Sequence, residues 1–268
     1  MSIKINHNSG FFSCCTVRLH KIISFLNLQG ILPTKIDSLN QFLWYKKKED
    51  ETKDISYDFF EFPQKQFERE ISLPIQFSYK HQFVKYKNVA IEQIFPVIKA
   101  CFYPKKCILI LKEKIKIKYN INVKETCVLF FRGNDKRKET RMCYYHEFLD
   151  QIKKIKSKNE DKEDLRILVQ SDETEFLNYM KAELKNVLVL EDEIRHMSAT
   201  KETSVDLLAT STTENNYKYA QLFLAIVLIM SECKYVVCTS GNISLWICLF
   251  RENAKNVFQY LSDQWYES

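Results

Sequence analysis

The chain has 268 residues, 46% of them hydrophobic and 28% charged, with a formal net charge of +6. That composition excludes general disorder, and the lysines are interleaved with carboxylates, so no concentrated basic stripe of a nucleic-acid reader is present. Nine cysteines without a repeating framework or a CxxC, and five histidines without paired spacing, argue for a reducing compartment and against a disulfide scaffold or a zinc site.

In chain order, Ser2–Asn6 reads as a strand and is followed by the loop His7-Asn-Ser-Gly10-Phe-Phe12. Over Cys14–Leu28, Val17, Leu19, Ile22, Ile23 and Leu26 recur at helical spacing, and Gly30 and Pro33 stop the pattern. A second strand is expected within Thr34–Tyr45, and an exposed loop over the charge run Lys46–Asp54. Ser56–Gln82, rich in Phe, Tyr and Pro, shows no periodicity that assigns its elements. Val89–Phe102 and Lys106–Tyr119 read as helices separated by Pro104.

Beyond them the alternation becomes regular. Strands are expected at 126–131, 166–170, 187–190, 235–238 and near 256–258. Helices are expected at 143–157, 173–185, 217–232 and 242–251, with a polar insertion over Glu191–Asn216. Such alternation predicts a parallel sheet with right-handed crossovers. The most apolar run, Leu222–Met230, is far shorter than the roughly 20 residues of a membrane span. With no basic start before an apolar stretch, a cytoplasmic protein is expected, without a signal peptide.

Three polar motifs follow strand-like runs. Arg132-Gly-Asn-Asp135-Lys136 follows CVLFF, Ser171-Asp172-Glu173 follows LRILVQ, and Thr239-Ser240-Gly241-Asn242 follows YVVC. In a parallel α/β sheet these loops share one edge, where ligands bind. Arg132 suits a phosphate through paired N–H bonds, Asp135 could fix the guanidinium or a ribose hydroxyl, and Lys136 adds a point charge. Glu139 is the nearest candidate general base. Ser171, Asp172 and Glu173 suit both a helix start and a ligand contact. Gly241 permits close backbone approach, and the helix after it offers free N–H groups to a diphosphate. On the amino-terminal side Gly10, Phe11 and Phe12, within a Ser9–Ser13 loop, could face the same cleft, with Arg18 and His20 on the next helix. Arg195-His196 lies in the polar insertion, a loop long enough to act as a lid.

From about Thr126 to Trp265 the motifs resemble the donor-binding domain of fucosyltransferase-like glycosyltransferases. The group includes α1,6-fucosyltransferases, the bacterial nodulation fucosyltransferase and protein O-fucosyltransferases. Its Arg-x-x-Asp-Lys matches Arg132–Lys136, its Ser-Asp-acid turn matches Ser171–Glu173, and its Thr-x-Ser-rich loop matches Thr239–Asn242. Where the group begins its first motif with His and a doubled Arg, this chain has Phe131 and a single Arg132. Where the α1,6-enzymes have a glutamate four residues after the lysine, it has Thr140, with Glu139 one place earlier.

The resemblance implies an α/β fold of two Rossmann-like domains facing a cleft (GT-B type), with residues 1–118 on the acceptor side and 119–268 binding the donor. It implies an inverting, metal-independent transferase without a cofactor. The donor would be GDP-fucose or a related nucleotide sugar, and the acceptor a glycan or protein hydroxyl. Arg132 would hold the β-phosphate, Asp172 and Ser240–Asn242 the guanosine and diphosphate, and Lys136 with a nearby carboxylate would assist departure and acceptor activation. A non-catalytic nucleotide- or glycan-binding module is the alternative. The lack of G-x-G-x-x-G after the first strand argues against dinucleotide use.

Overall fold

The computed structural model describes residues 1–62, 67, 72–158, 165–190 and 213–268. Strand β1 (Ser2–Asn6) leads into helix α1 (Phe11–Gln29) and returns through the parallel strand β2 (Lys35–Asn40). Helix α1 buries Leu19, Ile22, Ile23 and Leu26 along one stripe, as their spacing predicts. It begins three residues earlier than the periodicity implied, because Phe11 and Phe12 pack inward from its first turn. Gly30, at φ 71°, ends it by turning its N–H back to the Leu26 carbonyl.

The segment Ser56–Gln82, whose elements the sequence did not reveal, holds the short helix α2 (Ser56–Phe59) and runs into a 3-10 turn at Tyr79–Phe83, with another following at Tyr86–Asn88. Helices α3 (Ile91–Cys101) and α4 (Lys106–Lys118) follow within a residue or two of expectation.

The larger sheet is built from β3 (Thr126–Phe131), β4 (Arg166–Ser171), β5 (Val187–Val189), β6 (Tyr235–Thr239), β7 (Val257–Leu261) and β8 (Gln264–Glu267). Their order is β5-β4-β3-β6-β7-β8. The first five are parallel, and β8 closes the edge antiparallel to β7. The chain moves outward from β3 to β5, then crosses back to start again at β6. That reversal between β3 and β6 is a topological switch point, where the loops leaving adjacent strands part and open a crevice. Helices α5 (Tyr145–Lys158), α6 (Thr174–Glu183), α7 (Thr213–Glu232) and α8 (Asn242–Phe250) complete the unit.

Side chains alternate between the sheet's two faces, as strand geometry demands. Leu129, Phe131, Val169 and Val237 pack with Phe148 and Ile152 of α5 and Phe176 of α6. Val128, Phe130, Leu168, Val236 and Cys238 pack with α7, α8 and the core of the first 118 residues. With both faces covered, β3 is buried throughout and reads as an unbroken apolar run.

The protein is therefore mixed α/β with a parallel-dominated sheet. Among the described residues, the first 118 contribute a two-stranded sheet rather than a second full-sized one. No helix among the described residues is long and apolar enough to cross a membrane.

Candidate active site at the switch point

A cavity of about 220 Å3 opens at the carboxyl ends of β3 and β6. Arg132, Lys136 and Glu139 line it from the loop after β3, and Gly241, Asn242, Ile243 and Ser244 from the start of α8. Ser9 through Ser13, entering α1, face them. The loop that carries Arg132 and the start of α8 at Gly241 and Asn242 thus line one cavity.

The loop after β3 is held from below by the turn after β4. The Thr239 hydroxyl accepts the Arg132 N–H at 3.0 Å, and Asp172 accepts the Gly133 N–H at 2.8 Å while pairing with the Arg132 guanidinium. Glu173 is fully buried. It accepts the Asn134 N–H at 2.8 Å, the Arg137 guanidinium at 2.8 and 2.9 Å, and the Tyr145 hydroxyl at 2.6 Å. Burial and that carboxylate push the Tyr145 phenol up, so it stays a donor. A Cβ on Gly133 would fall 2.0 Å from Glu173 Oε1, which explains a glycine between Arg132 and Asn134. The Ser171 hydroxyl accepts the Glu173 N–H at 2.9 Å.

Ser171, Asp172, Glu173, Thr239 and Ser240, expected to touch the donor, are absent from the cavity wall. Each spends its polar atoms on backbone or a neighbouring loop. Ser240 donates to the Tyr260 carbonyl at 2.6 Å and accepts from Gln259 at 2.8 Å. The Ser-Asp-acid and Thr-Ser turns support the loops that carry Arg132 and Gly241.

Lys136 is nearly buried, with its ammonium 2.6 Å from Glu139 Oε2 and 5.3 Å from the centre of the Phe83 ring. Gln82 reaches within 3.5 Å of the same ammonium and also lines the cavity. The described part of Asp135 is its backbone, in the 3-10 turn Asn134–Lys138. His196 lies outside the described residues.

Helix α8 starts after Gly241 with no side-chain cap and no acidic residue in its first turn. Its first residues line the cavity, so the N–H groups that a helix start leaves unpaired, and the positive end of the helix dipole, lie at that wall. The Tyr86 hydroxyl accepts the Gly241 N–H and donates to the Gly241 carbonyl, both at 3.1 Å. Asn242 is tied to α1: the Thr16 hydroxyl lies 2.8 Å from both Asn242 Oδ1 and the Phe12 carbonyl. It also accepts Trp246 Nε1–H at 2.9 Å, so its single proton serves one oxygen at a time.

On the opposite wall, Gly10, Phe11 and Phe12 are joined by Tyr45, Phe130, Tyr219 and Phe223. Arg18, expected at the cleft, is instead buried at 1% exposure, bonded to Ser38 of β2 and 5.3 Å from the Tyr57 ring. It sits farther along α1, facing β2 rather than the cavity. His20 bonds the Phe77 carbonyl at 3.0 Å. Tyr45, Gln82, Phe83 and Tyr86 went unrecognised as site residues, since they lie in irregular stretches that show no periodicity.

The fold is fucosyltransferase-like. It is similar to a crystal structure of NodZ α1,6-fucosyltransferase soaked with GDP-fucose, with a TM-score of 0.63 at 10% identity over 100% of this chain and 99% of that one. The selenomethionine form of fucosyltransferase NodZ from Bradyrhizobium is similar at a TM-score of 0.53 and 9% identity, over 99% of this chain and 97% of that one. Another NodZ structure from Bradyrhizobium gives 0.52 and 9%, over 98% and 99%. At these identities the likeness is one of fold. No family profile matches the chain, and neither does any curated sequence.

Proposed function

We propose that this chain is a glycosyltransferase that moves a sugar, fucose by first choice, from a nucleoside diphosphate to a hydroxyl of a glycan or protein. The observation that carries the reading is the shared cavity. Arg132 and Lys136 from one strand end, and the uncapped start of α8 from the adjacent one, line a single space at the switch point. Two cations and free helix N–H groups are what a diphosphate needs. The fold's likeness to a fucosyltransferase makes GDP-fucose the first donor to test.

In this reading the first 118 residues face the acceptor and the remainder the donor. A metal-independent inverting displacement would build charge on the departing diphosphate. Arg132, oriented by Asp172, Lys136, held by Glu139, and the N–H groups of α8 would offset it. Removing one such donor typically costs about 100- to 1,000-fold in rate.

Thermal-shift measurements with GDP, UDP and S-adenosylmethionine test this directly. GDP at about 100 times its dissociation constant should stabilise the wild type by roughly 2.7 kcal/mol. Arg132→Ala should lose most of that shift and slow GDP release from GDP-fucose about 100-fold. Stabilisation by UDP or S-adenosylmethionine but not GDP refutes the reading.

A binding module without turnover is the second reading. Glu139 is the carboxylate on the cavity wall among the described residues, and it is already paired with Lys136. GDP binding without GDP release from GDP-fucose would favour the module.

A further inference from the structure

Opposite the cations, Ser13 lines the cavity from the first turn of α1. Its hydroxyl lies 3.1 Å from Nε2 of His7, the first residue after β1. The serine lines the wall, and the histidine bonded to it does not. With the ring proton on Nδ1, Nε2 accepts from Ser13 O–H, which leaves the serine's lone pairs to accept from a hydroxyl in the pocket. Two other hydroxyls of the cavity wall are bonded to backbone instead. Tyr45 accepts the Phe11 N–H at 2.9 Å, and Ser244 donates to the Thr239 carbonyl at 2.6 Å.

We propose that Ser13 and His7 form the proton relay that activates the acceptor hydroxyl. The inference rests on the transferase reading above and deepens it. As the acceptor oxygen forms its bond to the sugar's anomeric carbon, its proton passes to Ser13 Oγ. The serine's own proton passes to His7 Nε2, giving an imidazolium. The anomeric C–O bond to the diphosphate breaks, and its electron pair leaves with the phosphate, facing Arg132, Lys136 and the start of α8. Glu139 then keeps the role its geometry gives it, holding Lys136 in place.

The electrostatics suit a base. Burial lowers the pKa of His7 below the ordinary histidine value, so the ring is neutral at pH 7. Around it, the Cys14 thiol that donates to its carbonyl is pushed up to about 11 by burial and stays uncharged, as does Tyr45. Among the described residues no carboxylate pairs with the ring, and the charges facing the loop across the cavity are Arg132, Lys136 and Glu139.

GDP release from GDP-fucose, with water as the acceptor, is the assay, run beside GDP thermal shifts on the full chain. Ser13→Ala and His7→Gln should each lower kcat about 100-fold, while KM and the GDP shift stay within about twofold. Wild-type kcat should fall as pH drops through the lowered histidine value, and His7→Gln should lose that limb. Added imidazole should restore part of the rate in His7→Ala, which a purely structural role would not allow. Variants that turn over at the wild-type rate, or lose GDP binding in step with rate, overturn the relay and leave the transferase reading standing. A wild type that neither binds GDP nor releases it from GDP-fucose sinks that reading and the relay together.

Discussion

The loops entering α1 and α8 each end on a glycine, Gly10 and Gly241, and each leaves its helix start without a side-chain cap or an acid in the first turn. Both are fixed instead by a tyrosine hydroxyl. Tyr45 accepts the first N–H of α1, and Tyr86 bridges the N–H and carbonyl of Gly241. The backbones differ. Gly10 has φ −53° and ψ 151°, ordinary extended values, whereas Gly241 has φ 158° and ψ 176°, a region that disfavours a side chain. One start is framed by phenylalanines above a two-stranded sheet, the other by hydroxyls and cations above a six-stranded one. The same helix-end device thus serves a wall of shape on one side and a wall of charge on the other.

The charged wall depends on a carboxylate that never reaches the cavity. Glu173→Ala would strand the Asn134 N–H, the Tyr145 hydroxyl and one side of Arg137, all now satisfied by one buried group. A buried N–H or hydroxyl left without its acceptor costs about 1–3 kcal/mol, while the half-exposed Arg137 regains water, so urea unfolding should show a total loss of about 2–4 kcal/mol. GDP stabilisation should fall with it, because the loop bearing Arg132 loses its support. A loss under about 1 kcal/mol would mean that this wall is not built from beneath.

Gly241→Ala is the next largest effect. The new Cβ would have room, 3.6 Å from Lys136 Cε, so the cost is backbone strain of about 1–3 kcal/mol. Gly10→Ala, at dihedrals any residue adopts, should show no such strain. Equal losses in the two variants, measured by thermal unfolding, would erase the contrast between the helix starts.

The sequence foretold the charged wall better than the aromatic one, and the reason is physical. Strands β3, β4 and β6 are buried on both faces, so their apolar runs stand out and the polar residues that end them mark the sheet edge. What those residues do is harder to read. A serine or aspartate that caps a turn and one that binds a ligand look alike, and Asp172, Glu173 and Ser240 bond neighbouring loops here. Strand β8 escaped notice because its turn, Ser262-Asp263, reaches positive φ without the Asn-Gly or Asp-Gly that announces a tight hairpin. Gln82, Phe83 and Tyr86 escaped because single 3-10 turns carry no period. Tertiary contacts with Lys136 and Gly241 fix their position, and such contacts leave no local pattern.

The two tyrosines give the finest comparison. Both are fully buried or nearly so, and burial pushes both phenols up, so each remains a protonated donor and acceptor across the working pH range. Tyr45→Phe removes the partner of one N–H, and unfolding should register about 1 kcal/mol. Tyr86→Phe removes the partner of both an N–H and a carbonyl at a buried glycine, so about twice that loss is expected. The functional consequences should diverge further. Losing the Tyr86 hydroxyl frees Gly241 to reorient, which turns the α8 N–H groups away from the diphosphate and weakens GDP binding. Losing the Tyr45 hydroxyl disturbs the helix start that carries Ser13 and leaves GDP affinity within about twofold. If GDP binding weakens equally in both variants, the two walls do not divide the work between donor and acceptor, and the cavity acts as one undivided site.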